Sequence, residues 1–160
     1  MNKIIAILFL VITSNVFSQK LTVNDLTKIK ETNLNQAETL LANNEFDFKE
    51  VKTSEENEKY YAFGFNLDKY GEKADEYLVI SINETSENVT YIWYQLEKTG
   101  WSELKKNLIS IGYKKTKTES DSDGSLTTEY SNSVFNFSFN VGKTMNDDNE
   151  SVFLYSLSIR

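Results

Sequence analysis

Three groups of residues have types and spacing that could do chemistry, and the first consists of clustered carboxylates. Glu55, Glu56 and Glu58 stand close together, and Asp75 is followed directly by Glu76. Paired carboxylates can act as acid and base in glycoside hydrolysis. We interpret both clusters as solvated turns, because a turn offers no apolar wall that would raise a carboxyl pKa.

Other catalytic patterns are missing from the chain. It contains no His and no Cys, which removes the commonest general base and the thiolate nucleophile. Neither a Gly-x-Ser-x-Gly motif nor a Gly-rich phosphate loop occurs. We therefore predict a protein that is not an enzyme and has no cofactor. A secreted enzyme remains a minor alternative, because spacing does not show which carboxylates, Ser, Lys and Tyr converge in space.

The second group is the segment 119–126, in which acidic residues alternate up to Gly124. This pattern resembles the start of an EF-hand calcium loop. It departs from that loop at its first position, which is Glu, and at its twelfth, which is Tyr130. Because Asp-Gly is a strong hairpin signal, we interpret the segment as an exposed turn and predict no metal site. Asp121 and Asp123 are kept as weak candidate ligands.

Aromatic residues form the third group, because they alternate with positions that we expect in the core. If one side of each strand packs against helices, Tyr60, Tyr77, Tyr91 and Trp93 lie on the other side. Exposed Tyr and Trp are typical anchors of protein interfaces, and they also stack on sugar rings. We predict that these four residues form a binding patch. Alternatively, the long loop or a second protomer covers this side, or the strands face the opposite way.

Helices must support the side of the sheet that carries the core. Thr22 with Asp25 has the spacing of a capping box, and Asn33 is a second candidate N-cap. A further amphipathic helix is predicted from Trp101, with Gly112 as its C-terminal stop.

Period-two alternation predicts eight strands, four after each helical region. The strands begin near the following positions: Phe46, Tyr61, Leu78, Val89, Tyr113, Leu126, Phe135 and Phe153. A long polar loop over 68–75 separates the second strand from the third.

The order of elements predicts an α+β fold with two tandem helix-plus-four-strand units. We expect the units, about 22–97 and 99–160, to form an antiparallel sheet with helices on one face. Local matches between the halves favour an internal duplication, and the alternative is two similar patterns that arose by chance. The candidate joint is 98–100. In order of elements alone, the chain resembles the secreted β-lactamase-inhibitor proteins; no motif carries that resemblance.

The N-terminus has the anatomy of a secretory signal peptide over residues 1–18. Lys3 precedes a nine-residue apolar run, which is shorter than the roughly 20 residues of a membrane helix. The alternatives are an N-terminal anchor or a first core helix. We predict cleavage before Gln19, a single α+β domain over 19–160, and export to the periplasm or the outside of a bacterium. No membrane span would remain after cleavage.

The net negative charge of the chain disfavours nucleic acid as a partner. The full chain carries −7, and removal of Lys3 with the signal peptide makes it −8. An acidic chain without a basic cluster is a poor binder of nucleic acid. The sequence therefore predicts an exported, non-enzymatic binding module for an unknown protein partner, or alternatively for a glycan or another cell-envelope polymer. A small outer-membrane barrel is a less favoured alternative.

Overall fold

The computed structural model describes residues 21–54, 58–145 and 150–160, which contain three α-helices and eight β-strands. The helices are α1 (Val23–Lys30), α2 (Leu34–Asn43) and α3 (Lys98–Ser110). The strands are β1 (Phe46–Thr53), β2 (Lys59–Phe65), β3 (Glu76–Ile82), β4 (Val89–Leu96), β5 (Lys114–Ser120), β6 (Leu126–Ser131), β7 (Asn136–Met145) and β8 (Ser151–Ile159). The predicted signal peptide and the acidic turn residues 55–57 lie outside the described residues.

Both N-terminal helices begin at the caps predicted from the sequence. The Thr22 hydroxyl accepts a hydrogen bond from the Asp25 N–H at 3.2 Å, and the Asp25 carboxylate accepts one from the Thr22 N–H at 3.0 Å. The Asn33 side chain accepts from the N–H of Gln36 at 3.0 Å and starts α2. These bonds satisfy N–H groups that a helix start would otherwise leave unpaired.

All eight strands form one antiparallel sheet, which confirms a mixed α+β fold. The strand order is β1-β2-β3-β4-β8-β7-β6-β5. The last strand of each run of four therefore lies in the middle, where Tyr94 of β4 opposes Leu157 of β8. The internal duplication stays a prediction.

One hydrophobic core joins the helices to alternate residues of the strands. Leu26, Ile29, Leu104 and Leu108 of the helices are fully buried in it. The strands supply the following buried apolar residues: Phe46, Phe63, Leu78, Ile80, Ile92, Tyr94, Phe137, Phe139, Leu157 and Ile159. Because these strand residues alternate along each strand, the next residues along point to the opposite side of the sheet.

Residues 98–100, the candidate joint between the units, form the first turn of α3, in which Gly100 is buried. Val89, the first residue of β4, lies in the core, and the pairing register of β3 with β4 shifts between Ser81 and Ile82 next to it.

Candidate binding site on the far face of the sheet

The side of the sheet away from the core, here called the far face, carries the predicted aromatic residues. Directly opposed residues on antiparallel strands share one face and lie close together. Three rows cross β2, β3 and β4 on the far face: Tyr60–Ser81–Tyr91, Ala62–Val79–Trp93 and Gly64–Tyr77–Gln95. The structure therefore places all four predicted aromatic residues on one surface, where each is half-buried.

A concave site of about 310 Å³ lies between β1 and Trp93, and we call it the cleft. Ala62 and Val79, which oppose each other across β2 and β3, lie between its aromatic residues. The cleft is lined by Lys49, Glu50, Lys52, Tyr60, Ala62, Tyr77, Val79 and Trp93. Three of the four predicted aromatic residues thus meet around two small apolar side chains.

Tyr91 lies in a neighbouring depression of about 580 Å³ and not in the cleft. The guanidinium carbon of Arg160 is 5.9 Å from the centre of its ring. Tyr60 lines both sites, and its hydroxyl donates a hydrogen bond to the carboxylate of Glu58 at 2.5 Å. The four aromatic residues therefore form two adjoining sites that share Tyr60.

The long loop between β2 and β3 covers one end of the far face. A Cβ atom at Gly64 would lie 2.6 Å from Leu67 Cδ2 and 2.9 Å from Ala74 Cβ, so only a glycine lets the loop approach this closely. The Tyr77 hydroxyl accepts a hydrogen bond from the Ala74 N–H at 2.8 Å and donates to the Glu72 carbonyl at 3.2 Å. Tyr77 therefore ties the loop to the sheet as well as lining the cleft.

The loop is held by its own hydrogen bonds at Asp68. The Asp68 carboxylate accepts from the N–H of Glu72 at 2.8 Å and from the N–H of Tyr70 at 3.2 Å. The bond from Glu72 is the main cause that lowers the pKa of Asp68 below its usual range. The loop that covers this end of the far face thus has a defined turn structure.

Basic residues at the β1 side of the cleft were not foreseen from the sequence. Lys49 stands at a register shift between Phe48 and Glu50. Its ammonium donates to the Glu72 carbonyl at 2.6 Å and lies 5.2 Å from the centre of the Tyr77 ring. A bulge of this kind redirects a side chain, and no sequence signal marked it.

Small polar residues continue the far face beyond Trp93. Ser158 of β8 opposes Trp93 and, on its other side, Ser138 of β7. One row away, Asn140 accepts a hydrogen bond from the Thr127 hydroxyl at 2.6 Å. The far face therefore has an aromatic half on β2–β4 and a half of short polar side chains on β6–β8.

The weak metal candidates Asp121 and Asp123 lie in the turn between β5 and β6. The Ser125 hydroxyl donates to Asp121 at 3.0 Å, and the Ser125 N–H donates to Asp123 at 2.9 Å. That backbone bond is the first cause of a lowered pKa at Asp123. Within residues 21–54, 58–145 and 150–160, no three His, Cys, Asp or Glu side chains are grouped so that they could hold a metal ion.

The interpretation of Glu76 as a solvated turn residue was wrong. Glu76 is the first residue of β3, only 9% exposed, and lies on the core side. It accepts a hydrogen bond from the hydroxyl of the fully buried Tyr94. Burial, and then the charge and hydrogen bond of Glu76, raise the pKa of Tyr94 far above its usual range. Asp75, in contrast, accepts from the Asn66 side chain at 2.8 Å in an exposed position.

Ser102 and Lys105 of α3 have a Ser-x-x-Lys spacing. Such a pair could make an activated nucleophile. The Lys105 ammonium lies 4.8 Å from the centre of the Trp101 ring and 5.7 Å from that of Tyr130. Burial first, and then the charge of Lys115, lower its pKa. No hydrogen bond joins the side chains of Ser102 and Lys105, both of which are described.

No helix among the described residues is long and apolar enough to cross a membrane. Comparisons with protein-family models, with characterised proteins and with solved structures each find no match for this chain.

Proposed function

We propose that this protein is an exported, non-enzymatic binding module that uses the aromatic half of the far face to bind another protein. The observation that carries the proposal is the cleft, where Tyr60, Tyr77 and Trp93 surround Ala62 and Val79. Tyr and Trp are enriched among the residues that contribute most to protein interfaces. They combine a large apolar area with a polar atom that can meet a partner group.

The placement of these rings on sheet strands favours binding without large rearrangement. Trp93 and Tyr60 stand in rows of paired strands, and Tyr77 is held by two hydrogen bonds to the loop. Side chains that are ordered before binding lose less conformational entropy when a partner docks. The half-buried rings therefore support a preformed site.

The polar groups of the cleft support binding in preference to catalysis. Its one carboxylate, Glu50, is 2.9 Å from the ammonium of Lys52 in an exposed ion pair. The buried carboxylate of Glu76 lies on the core side of the sheet, where a ligand in the cleft does not reach it. We infer that no acid and base are paired across the cleft.

Export is part of the same proposal. The proposed signal peptide directs the chain to the periplasm or the outside of a bacterial cell, where residues 19–160 act as one domain. The chain has no Cys, so the folded state depends on packing between the helices and the sheet. Fractionation of cells and the N-terminal sequence of the purified protein test cleavage before Gln19.

We also propose that the two runs of four strands arose by duplication. The support is the strand order, in which β1–β4 and β5–β8 extend outward from the central pair β4 and β8. Helices precede each run, α1 and α2 in the first and α3 in the second. Alignment of the two halves in related sequences would test this history.

Glycan binding is the second candidate function, and one observation favours it. Trp93 stands beside Ser158, which in turn opposes Ser138, so an aromatic ring adjoins a row of short hydroxyl side chains. Sugar rings stack on aromatic faces while their hydroxyl groups exchange hydrogen bonds with such neighbours.

One capture experiment separates these functions. The purified protein is immobilised and exposed either to envelope proteins or to purified envelope polysaccharide. The matched variants are Trp93→Ala and Phe153→Ala; Phe153 is 61% exposed and does not line the cleft. We expect a specific protein to bind to the wild type and to Phe153→Ala, and to be lost with Trp93→Ala. If polysaccharide is captured by the wild type and lost with Trp93→Ala, the glycan function is favoured. If Trp93→Ala captures protein and polysaccharide as well as the wild type does, both proposed functions are wrong.

A further inference from the structure

We propose that the cleft binds a segment of the partner protein in which a bulky apolar or aromatic side chain stands next to a carboxylate. The apolar side chain occupies the space between Tyr60, Tyr77 and Trp93, and the carboxylate binds to Lys49 and Lys52 on the β1 side. This inference rests on the proposed function and names the chemistry of the partner at the same site.

The size and lining of the cleft determine what can enter it. Its volume of about 310 Å³ is at the lower end of the roughly 300–1,000 Å³ range of small-ligand pockets. A single large side chain fits such a space, whereas a folded element does not. Ala62 and Val79 present only apolar atoms to the entering group, so an apolar or aromatic side chain gains most from burial there.

Lys49 is positioned in advance for an anionic group. Its ammonium has three donors, of which one goes to the Glu72 carbonyl at 2.6 Å. The Tyr77 ring, 5.2 Å away at its centre, lies beside the charge. Tyr77 itself is tied to the loop through Ala74 and Glu72, so the cation and the ring form one ordered corner.

Lys52 adds a second cation that a partner can recruit. It is 2.9 Å from Glu50, with the side chains 70% and 38% exposed, respectively. Exposed pairs of this kind contribute only about 0–1 kcal/mol, so an incoming carboxylate can share the ammonium at little cost.

Charge complementarity selects an acidic segment as the occupant. The cleft is lined by two lysines and one glutamate, which gives it a formal charge of +1 in an exported chain of −8. The chain as a whole is negative, so a carboxylate is attracted to the cleft more than to the average of the remaining surface. A second copy of this chain is disfavoured as the occupant, because two exported molecules of −8 repel each other.

The test uses a library of random peptides displayed on phage and selected against the immobilised, exported protein. We expect enrichment of peptides with Trp, Phe, Tyr or Leu next to Asp or Glu. Affinities of synthetic versions are then measured by calorimetry at two salt concentrations. The double variant Lys49→Met with Lys52→Met should weaken binding about tenfold, which corresponds to about 1.4 kcal/mol of binding free energy. The affinity of this variant should also depend less on salt concentration.

The matched control is Lys28→Met with Lys106→Met, which removes the same charge from exposed helix positions. This control should bind the peptides with an affinity within about twofold of the wild type, since exposed charges farther than a Debye length from the cleft are largely screened. A charge swap gives the sharpest result: Lys49→Glu should lose the selected peptides and recover binding when their Asp or Glu is replaced by Lys.

Two results would overturn the inference and leave the proposed protein-binding function intact. In the first, the selected peptides lose affinity with Trp93→Ala but not with the Lys49 and Lys52 variants. In the second, the selected peptides carry no acidic residue. Failure to enrich any peptide that depends on Trp93 would also overturn it. The proposed function has its own separate test, the capture of envelope proteins, which does not depend on a linear acidic segment.

Discussion

The hydroxyl of Tyr94 donates a hydrogen bond to the carboxylate of Glu76 inside the core. Tyr94 is fully buried and Glu76 is 9% exposed, so the pair lies in apolar surroundings. The ring of Tyr94 also packs against Phe46, with 6.1 Å between ring centres. A polar pair therefore connects β3 to β4 beneath the far face.

Replacing Tyr94 with Phe should destabilise the fold. The ring packing is retained, but Glu76 loses a donor in a buried position, which costs about 1–3 kcal/mol. Denaturant unfolding of Tyr94→Phe measures the loss. Tyr61→Phe is the control, because Tyr61 is half-buried at the edge of the core and Tyr61→Phe leaves Glu76 with its partner. Equal stability of Tyr94→Phe and the wild type would show that the hydrogen bond contributes nothing.

Alkaline pH should weaken the fold through the same residue. The pKa of Tyr94 is raised from 10.0 by burial and by Glu76. Above about pH 10 the unfolded chain releases the Tyr94 proton while the folded chain keeps it. The contribution of Tyr94 to the free energy of unfolding is therefore complete below about pH 10. It is lost as the pH rises, by about 1.4 kcal/mol per pH unit. Stability measured between pH 9 and 11 should fall less steeply for Tyr94→Phe than for the wild type; parallel slopes would contradict this.

The two tryptophans should differ sharply in their effect on stability. The indole N–H of Trp101 donates to the Ser156 carbonyl at 3.1 Å, and its ring packs edge-on against Phe139 and Tyr155. Trp101→Ala should cost about 3 kcal/mol. Trp93→Ala removes mainly a cross-strand contact and should cost about 1 kcal/mol or less. Thermal and denaturant unfolding compare them, and a larger loss at Trp93 would mean that it serves the core and not a binding surface.

An alanine at Gly64 should push the loop off the far face. The new Cβ would meet Leu67 and Ala74 at less than 3.0 Å, so the loop must shift, at a cost of about 1–3 kcal/mol. Trypsin should then cut faster at Lys69 and Lys73. Gly142→Ala is the control, because its nearest neighbour would be 3.9 Å away, an ordinary contact. Unchanged cleavage in Gly64→Ala would show that the loop does not depend on this close approach.

Most of the far face could be predicted from the sequence because alternation is a local property of strands. Tyr60, Ala62 and Gly64 share a face whatever lies beside them, since neighbouring side chains in a strand point to opposite sides. The helix starts at Thr22 and Asn33 were predictable for the same reason, because a cap needs only residues three positions apart.

Lys49 and Glu76 could not be predicted, because their positions depend on partners far along the chain. Lys49 reaches the cleft through a register shift and is held by Glu72 of another segment. Glu76 looks like a turn residue in the sequence, but the pairing of β2 with β3 and the ring of Tyr94 enclose it.

The sequence by itself determined the eight strands, the capped helices and which residues of each strand share a side with Tyr60, Tyr77 and Trp93. Backbone geometry and short-range hydrogen bonds are sufficient for those features. Only the tertiary structure decided that β4 pairs with β8, that the loop closes over Gly64, and that two lysines flank an aromatic cleft. These features arise from pairing and packing between distant segments, whose free energy depends on the whole fold and is not encoded in any one stretch of the chain.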